Sequence, residues 1–338
     1  MISVIVIAYK RKKYLKEAID SLLKQTFKNF EIIVIKNFKD PTIDQFLEQN
    51  HITNIITDKI EIGAHYAEGI RLAKGSLVAF LDDDDYYDVT KLERVNEVFS
   101  RYTKLHFYYN NLIAINELGE KIPYDRRMIH VGKKVELNNE MLLDENFSIE
   151  RKLQILKYYE AFWSPSCIVI KKDAILPYLS QLEKIYYAPG IFLVSVLANS
   201  NCNFFIDNKK LTYYRVHPSS SHIATSDKIE YFKNKEIFYL NSIKSLNSTI
   251  KILNEKTVLD FVNLFLSLTK FNFYIYTQNT DINKKEILKN LLTINENKHF
   301  LRISELFAIN IIFLFGLIMP RKILKNLFYH IEKNFHYN

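Results

Sequence analysis

The stretch SLVAFLDDDD, residues 76–85, decides the fold of this 338-residue chain. It joins a short apolar run to four consecutive aspartates, Asp82, Asp83, Asp84 and Asp85. Two unit charges about 4 Å apart repel by roughly 4 kcal/mol at an effective dielectric near 20, so adjacent carboxylates need a counter-charge. An apolar run without alternation is typical of a strand buried on both faces. Open α/β sheets bind ligands at the carboxyl ends of such strands, where this acid run lies.

Strand and helix patterns alternate on both sides of this stretch. SVIVIAY (residues 3–9) and EIIVIKNF (residues 31–38) are apolar runs of the same kind. Between them, the spacing of an amphipathic helix is met by Leu15, Ala18, Ile19, Leu22, Leu23 and Thr26. After the acid run, Thr90 and Glu93 match a capping box for a further helix. The alternation predicts a doubly wound α/β sheet.

The second half of the chain has a different pattern. Its predicted strands are aromatic and β-branched, in LHFYYNNLIAIN (residues 105–116), SCIVIKK (166–172) and LTYYRVH (211–217). They are separated by irregular charged segments, which predicts a mixed sheet rather than a purely parallel one. Beyond residue 226 only helical patterns remain. We therefore expect an α/β domain over residues 1–225 and a helical region over residues 226–338.

Composition limits the class of protein. A hydrophobic fraction of 48% and an aromatic fraction of 14% exclude a disordered chain. Cys167 and Cys202 match no disulfide or metal spacing, which favours a reducing, cytoplasmic setting. The first apolar run carries its basic residues after it rather than before it, so no signal peptide is expected. The net charge of +8 accompanies no nucleic-acid-binding motif, so we expect no nucleic-acid partner.

The acid run has three interpretations. Carboxylates before a helix N-terminus are mildly favourable, but four that directly follow a buried strand exceed that need. A calcium loop of the EF-hand type fits worse, because neither its central Gly nor its late Glu is in register. The remaining interpretation is a Mg²⁺ or Mn²⁺ site, in which the ion bridges carboxylates to a diphosphate. The acid run would then form half of a nucleotide-phosphate site.

With these motifs the chain resembles the family 2 glycosyltransferases of the GT-A fold. The resemblance covers roughly residues 1–225 and rests on SVIVIAYKR, GIRLAKGSLVAFLDDDD, SCIVIKKD and YYRVHPSSS. It implies a Rossmann-like nucleotide-binding sheet, a nucleoside diphosphate sugar linked to UDP or GDP, and Mn²⁺ or Mg²⁺ as cofactor. It also implies transfer with inversion at the sugar.

The resemblance assigns roles to individual residues. Asp82 and Asp84 match the D-x-D pair, with Asp84 as the expected metal ligand and Asp82 near the ribose and sugar or the metal. His217 matches the late histidine of the metal site, and neutral imidazole suits Mn²⁺. Donor binding is expected from Ala8, Tyr9, Arg11, Asn37, Asp82 and Asp83. The alternatives are that Tyr9 covers the sheet edge, that Arg11 is a surface charge and that His217 is a turn residue.

The chain departs from the family pattern at two places. An acidic pair usually ends the second strand, but this chain has Lys36 and Asn37 there, and an Asn side chain can still read a base edge. Inverting members place a carboxylate where this chain has Gly190, to deprotonate the acceptor. The catalytic base is therefore unassigned. Other candidate groups are Glu160, Glu183 and Asp207 as substitute bases, Trp163 to stack on an acceptor sugar, and Arg215 to face the diphosphate or an acidic neighbour.

The C-terminal segment, about residues 303–338, contains an apolar run and a basic amphipathic pattern. LFAINIIFLFGLIM (residues 306–319) is short of the ~20 residues that span a bilayer. In the next stretch Arg321, Lys322, Lys325 and Lys333 outnumber Glu332. This pattern predicts an interfacial membrane anchor on the cytoplasmic face. The alternative is a helix that packs on the catalytic domain or on a second subunit of a homodimer.

Together these features predict a metal-dependent glycosyltransferase. It would move a sugar from a nucleoside diphosphate sugar to a hydroxyl on a glycan or a polyprenyl-linked acceptor. The alternative function is a weakly active or inactive nucleotide-binding homologue that serves as a membrane-bound partner protein. The missing carboxylate at Gly190 favours this alternative, and the intact acid run favours the enzyme.

Overall fold

The structure, a computed structural model, describes residues 1–123, 138–217, 227–277 and 284–336. Residues 218–221 of the YYRVHPSSS motif and the predicted domain boundary near residue 225 lie outside the described residues, as do the side chains of Glu332 and Lys333. The division into two domains therefore stays a prediction.

The first part of the chain alternates strands and helices as the sequence predicts. Its elements are β1 (Ile2–Ala8), α1 (Leu15–Leu23), β2 (Phe30–Lys36), α2 (Pro41–Gln49), β3 (Thr53–Ile56), α3 (Ile62–Leu72) and β4 (Leu77–Asp82). All seven residues of β1 are buried, because helices cover both faces of the sheet. β1 lies between β2 and β4 and pairs with both in parallel.

The second part adds strands of both directions. Its elements are β5 (Tyr86–Tyr87), α4 (Lys91–Arg101), β6 (Leu105–Ile115), β7 (Met141–Leu143), α5 (Ile149–Tyr159), β8 (Ile168–Lys171), α6 (Lys172–Ile175), α7 (Leu179–Leu182), α8 (Pro189–Asn199) and β9 (Asn203–Arg215). The sheet order is β3-β2-β1-β4-β8-β6-β9-β5, with β7 also paired to β9. The predicted mixed α/β sheet is confirmed.

Strand direction determines which side chains meet. β8 is antiparallel to both β4 and β6, and β9 is parallel to β6. β1, β2, β4, β6 and β9 therefore all run the same way and end at one edge of the sheet. That edge carries the acid run after β4 and His217 after β9, so residues more than a hundred positions apart become neighbours.

Two apolar cores lie on opposite faces of the sheet. Along β1, Ile5 and Ile7 belong to one core, whereas Val4 and Val6 belong to the other. The first core also includes residues of a helical region made of α9 (Lys228–Ile250), α10 (Lys256–Tyr276), α11 (Lys284–Glu296), α12 (Ile303–Ile318) and α13 (Arg321–His336). The helical C-terminal region is therefore present and packs on one face of the sheet.

The predicted capping box at α4 is wrong. Thr90 occupies the N-cap position, but its side chain caps no backbone N–H of the helix. Its hydroxyl instead donates to Asp88 at 2.7 Å, and the Glu93 carboxylate accepts a hydrogen bond from Thr26 at 2.9 Å. Local hydrogen bonding of this kind competes with capping.

Candidate active site

The acid run is held at the carboxyl end of β4 by main-chain hydrogen bonds. The Asp83 N–H donates to the Ile7 carbonyl of β1 at 3.1 Å. The Asp82 N–H donates to the Ser166 hydroxyl at 3.0 Å, and the Asp85 N–H donates to the Asp82 carbonyl at 3.2 Å. This turn packs three of the four carboxylates into the protein, since Asp83, Asp84 and Asp85 are buried.

Arg11 supplies a positive charge at this site. Its Nε and Nη2 donate to the two oxygens of Asp83 at 3.0 and 2.6 Å. The same Nη2 lies 2.6 Å from Asp84 Oδ2, and Nη1 lies 3.4 Å from His217 Nε2. Arg11 follows the end of β1, so the sheet edge brings it to the acid run. It is a partly buried partner of the acid run, not the surface charge of the alternative interpretation.

His217 faces Asp84 directly. The His217 Nε2 and Asp84 Oδ2 atoms are 3.0 Å apart, and both side chains are buried. The His217 ring also packs against the Tyr14 ring, with centroids 5.3 Å apart. These contacts show that His217 is part of the site and not only a turn residue before Pro218.

A divalent cation fits the chemistry of this pair. A separation of 3.0 Å between Asp84 Oδ2 and His217 Nε2 matches that of two adjacent ligands of an octahedral ion bound at about 2.1 Å. Carboxylate oxygen and imidazole nitrogen both suit Mn²⁺. In the described part of the chain no group of three or more His, Cys, Asp or Glu side chains is arranged to hold a metal ion. Asp84 and His217 alone would leave most of a coordination sphere to further ligands such as a substrate and water.

Burial and mutual repulsion perturb the acid run. Burial, together with the Asp84 charge, raises the pKa of Asp82 to about 7 and that of Asp83 to about 8. The same causes raise the pKa of Asp85. Arg11 opposes these shifts but does not cancel them. The buried Asp85 Oδ2 has no hydrogen-bond partner. The acid run is therefore short of positive charge, which a bound cation would supply.

Arg215 supports the acid run from β9. Its N–H donates to Asp85 Oδ1 at 3.0 Å and its Nε donates to the Asp84 carbonyl at 2.9 Å. Nη2 donates to Glu17 Oε2 at 2.6 Å, and the guanidinium lies 4.4 Å from the centre of the Tyr14 ring. The sequence left two roles open for Arg215, contact with the diphosphate or contact with an acidic neighbour. The structure shows contact with an acidic neighbour, Glu17.

The strand ends of β1 and β2 meet at the corner where base binding is expected. The Asn37 N–H donates to the Ala8 carbonyl at 3.3 Å, and Asn37 Oδ1 accepts the Lys10 N–H at 2.7 Å. The buried Lys36 points elsewhere, because its Nζ pairs with Asp44 at 2.7 Å. Tyr9 packs edge-on against His65, with ring centroids 5.7 Å apart. The structure therefore brings Ala8, Tyr9 and Asn37 together beside the acid run.

Sequence reasoning missed three residues of this edge. The Tyr66 hydroxyl of α3 donates to Asp82 Oδ1 at 3.3 Å, and Ser166 orients the Asp82 backbone. His65 is fully buried, and its Nδ1 has no hydrogen-bond partner. In the chain, α3 follows β3 and precedes β4, so the helix begins at the edge of the sheet where the parallel strands end. That position is a signal in the sequence that identifies Tyr66 and His65. Ser166 carries no such signal.

Gly190 lies at the start of α8 in a place that cannot hold a side chain. A Cβ there would come within 1.8 Å of the Phe162 carbonyl oxygen. The residue two positions earlier, Ala188, has a positive φ of 56°. The backbone at Phe162 therefore occupies the space that a side chain at position 190 would need. The resemblance expects a catalytic carboxylate at this position.

The three substitute bases lie in different surroundings. Asp207 is fully buried and accepts hydrogen bonds from Arg94 at 2.8 Å and Tyr108 at 2.9 Å. Glu183 forms an ion pair with Arg71 at 2.5 Å. Glu160 ends α5 with a positive φ of 51° and lies two residues before Phe162, which contacts Gly190. Trp163 follows in the same segment and packs edge-on against Phe162, with centroids 6.4 Å apart.

The C-terminal helices have one buried side and one exposed apolar side. On the buried side, Glu305 pairs with Lys157 of α5 at 3.3 Å, and Phe313 stacks on Phe271 with centroids 3.7 Å apart. The exposed side, here called the apolar stripe, consists of Ile303, Phe307, Ile311, Leu314, Phe315, Ile318, Ile323 and Leu327. Ile303 is 88% exposed and Ile318 is 75% exposed, so the stripe is open to solvent from end to end.

Helix α10 is the one described helix that is long and apolar enough to cross a membrane. Half of its most apolar window is buried inside the protein, and the core helix of a soluble protein has the same properties. The 16 residues of α12 form a shorter apolar helix. These features therefore give weak support for a membrane span.

Comparison with known sequences identifies related proteins. A family model described as Glycosyl transferase family 2 matches residues 3–175. An uncharacterized glycosyltransferase of Haemophilus influenzae is 26% identical over 67% of this chain and 71% of its own length. The Escherichia coli protein WfaP, a UDP-Glc:alpha-D-GlcNAc-diphosphoundecaprenol beta-1,3-glucosyltransferase, is 35% identical over 33% of this chain and 45% of its own length. The chain thus spans less than half of WfaP.

Solved structures share the fold. Staphylococcus aureus TarS 1–349 in complex with UDP-GlcNAc aligns over 99% of this chain and 91% of its own, with a TM-score of 0.55 and 13% identity. The mannosyltransferase PcManGT of Pyrobaculum calidifontis, in complex with GDP-Man and Mn²⁺, aligns over 98% of this chain and 84% of its own, with a TM-score of 0.51 and 9% identity. At these identities the likeness establishes the fold alone.

Proposed function

Because the chain belongs to glycosyl transferase family 2 and has the fold of GT-A enzymes, we propose that it transfers a sugar from a nucleoside diphosphate sugar to an acceptor hydroxyl with the help of Mn²⁺ or Mg²⁺. The observation that carries the proposal is the 3.0 Å contact of Asp84 with His217 beside three further carboxylates. Carboxylates repel a diphosphate, so they need a cation to bind one.

Each residue of the sheet edge has a role in this proposal. Asp84 and His217 would hold the ion, with Asp82 as a further ligand or a partner of the ribose and sugar. When bound, the ion would stabilise negative charge on the leaving diphosphate. Asn37 and Tyr9, with the Ala8 backbone, would bind the base, and Arg11 and Asp83 would contact the donor. The donor would be a UDP-linked or a GDP-linked sugar, the two kinds of donor that the fold relatives bind.

The acceptor hydroxyl must lose its proton without a carboxylate at Gly190. A general base typically contributes 10² to 10⁴-fold in rate, so we expect slow transfer unless another group replaces it. Glu160 remains a candidate substitute, since it lies two residues before Phe162, whose carbonyl packs on Gly190. Loss of the base also favours a second candidate function, a nucleotide-binding partner protein without turnover.

We further propose that the acceptor is a polyprenyl-linked glycan and that the protein works on the cytoplasmic face of a membrane. The relative WfaP, by its name, acts on a diphosphoundecaprenol-linked sugar. The apolar stripe supports the same acceptor class, because α12 exposes apolar side chains on one side and packs on the protein with the other. Six Lys and Arg against two Glu in residues 298–338 would favour an anionic lipid surface.

The test of sugar transfer compares the wild type with Asp84→Ala. UDP-linked and GDP-linked sugars are supplied with Mn²⁺, with and without polyprenyl diphosphate sugars, and release of the nucleotide is measured. The matched control is Asp20→Ala, which removes an aspartate paired with Lys16 on α1. We expect Mn²⁺-dependent release in wild type and control and at least a hundredfold slower release in Asp84→Ala. Equal rates of nucleotide release in the wild type, the control and Asp84→Ala would contradict the proposed metal role of Asp84.

The same assay distinguishes the second function. A nucleotide at 100 times its dissociation constant adds about 2.7 kcal/mol of stability, which a thermal shift detects. If UDP or GDP stabilises the protein but no donor is consumed with any acceptor, the result supports a nucleotide-binding partner protein and contradicts the proposed enzyme.

A further inference from the structure

Arg11 lies against the two atoms that would bind the metal. Its Nη2 is 2.6 Å from Asp84 Oδ2, and its Nη1 is 3.4 Å from His217 Nε2. These are the two atoms whose separation of 3.0 Å suits an octahedral cation. The guanidinium group also donates paired hydrogen bonds to both oxygens of Asp83.

A guanidinium and a divalent ion compete for this position. Asp84 Oδ2 already accepts charge-assisted contact from Arg11, and an ion bound to the same oxygen would lie within a few ångströms of the guanidinium. Like charges at that distance repel strongly in a buried site, where water screens them poorly. The Arg11 side chain is 13% exposed. A metal can therefore enter fully only when Arg11 moves off Asp84.

We propose that Arg11 is an internal counter-cation that occupies the metal position until a nucleoside diphosphate arrives. The inference rests on the proposed function, because it concerns how the same site acquires its metal. A diphosphate offers the guanidinium a new anionic partner, and paired Arg–phosphate hydrogen bonds are strong. Arg11 can then leave Asp84, and the metal and the nucleotide bind together rather than the metal first.

The position of Arg11 in the chain permits this movement. Arg11 follows Lys10, which has a positive φ of 56°, in the loop between β1 and α1. The displacement needs only a change of side-chain rotamer, since the contact to Asp84 runs through the terminal Nη2 atom. Asp83 shares that atom and also binds Nε, so it can keep the stem of the side chain in place.

The test measures Mn²⁺ binding by electron paramagnetic resonance, with Mn²⁺ alone and with saturating UDP or GDP. In the wild type we expect either nucleotide to tighten Mn²⁺ binding at least tenfold. Arg11→Gln should bind Mn²⁺ alone at least tenfold more tightly than the wild type does. The nucleotide should then tighten Mn²⁺ binding less than it does in the wild type, because only the ligands of its own diphosphate remain to be gained. Arg11→Lys, which keeps the charge on a shorter side chain, should fall between them.

The matched control is Arg71→Gln, which removes an arginine paired with Glu183 away from the acid run. It should bind Mn²⁺ as the wild type does. The inference is overturned if the wild type binds Mn²⁺ equally well with and without nucleotide, a result that needs no variant to fold. It is also overturned if folded Arg11→Gln binds Mn²⁺ alone no better than the wild type.

These outcomes differ from failure of the proposed function. If Mn²⁺-dependent release of nucleotide persists while Arg11→Gln leaves Mn²⁺ binding unchanged, only the counter-cation role fails. If no protein binds Mn²⁺ under any condition and release does not depend on it, the metal-dependent function fails and this inference with it.

Discussion

Arg215 and Asp84 are joined through the main chain: the guanidinium Nε donates to the Asp84 carbonyl oxygen at 2.9 Å. The same side chain is almost fully buried and also donates to the carbonyls of Asn116 and Glu117 at 3.2 and 3.0 Å. One arginine from β9 therefore fixes the backbone of the acid run and ties it to the chain that follows β6.

Replacing Arg215 by lysine should destabilise the protein. Lysine keeps the charge but cannot reproduce the planar set of donors that reaches Asp84, Glu117 and Glu17. We expect a loss of about 2–4 kcal/mol in the free energy of unfolding, measured by urea denaturation. Arg101→Lys is the control, because the Arg101 side chain is 63% exposed. Equal stability of Arg215→Lys and wild type would contradict the buried network.

Gly190→Ala should be more harmful than an ordinary glycine substitution. The added Cβ meets the Phe162 carbonyl oxygen at 1.8 Å, so the backbone of one segment must shift. We expect a cost of about 3 kcal/mol in unfolding free energy. In Gly119→Ala the Cβ has ordinary space, and only the φ of +82° costs about 1 kcal/mol. Similar melting temperatures for the two variants would refute the tight contact.

Without metal, stability should fall as the pH rises from about 5 to 8. Asp82 and Asp83 have pKa values of about 7 and 8 in the fold but about 3.9 when unfolded, so the folded state binds more protons in this range. Stability is then highest below the unfolded pKa and is lost as the pH passes the folded values. Thermal melts across this range check the slope, and a stability that rises with pH would contradict it.

Mn²⁺ with UDP or GDP should reverse this trend, because a cation needs ionised carboxylates. The melting temperature should rise with pH when both are present. Asp84→Ala should show no such reversal, whereas Asp20→Ala should behave as the wild type. Reversal in all three proteins would place the ion somewhere other than Asp84.

The apolar stripe should bind vesicles that contain phosphatidylglycerol. Each stripe side chain that leaves water contributes about 1.5–3 kcal/mol, so Phe307→Asp or Ile318→Asp should weaken binding at least tenfold in co-sedimentation. Leu118→Asp is the matched control, because Leu118 is 82% exposed but lies outside the stripe. Binding should weaken with added salt and on pure phosphatidylcholine. A dimer that Phe307→Asp dissociates would instead assign the stripe to a second copy of the chain.

The buried pair Lys157–Glu305 should be sensitive to loss of one partner. Both residues are less than a tenth exposed, so Glu305→Gln removes the carboxylate charge that lies 3.3 Å from a buried ammonium group. We expect a loss of about 3–5 kcal/mol, whereas the double change Lys157→Met with Glu305→Leu should cost much less. Limited proteolysis of α12 measures the release of this helix. Equal cleavage in the single and double variants would show that the pair does not hold α12.

Much of the sheet could be predicted from the sequence because parallel strands buried on both faces must be apolar throughout, as β1 is. Helix α8 escaped prediction for the same reason, since ten of its eleven residues are buried and no amphipathic pattern remains. The acid run was recognised as a site because a series of like charges has no purely structural explanation.

The ion pairs that Arg11 and Arg215 form could not be predicted from spacing in the sequence. Arg215 and Glu17 are 198 positions apart, and Arg11 and Asp83 are 72 positions apart. Only the strand order brings them to one edge, and sequence spacing does not reveal that order. The capping box at Thr90 misled because Asp88, two residues earlier, offers the hydroxyl a nearer acceptor.

Helix α5 connects the C-terminal helix α12 to the segment around Gly190. Lys157 pins it to α12, and after Glu160 the chain turns into the segment that covers Gly190. On the membrane proposal, α5 would therefore set the distance between the catalytic cleft and the lipid surface. On the membrane proposal, acceptors would be selected by reach: a hydroxyl too close to the bilayer, or too far above it, would miss the donor sugar.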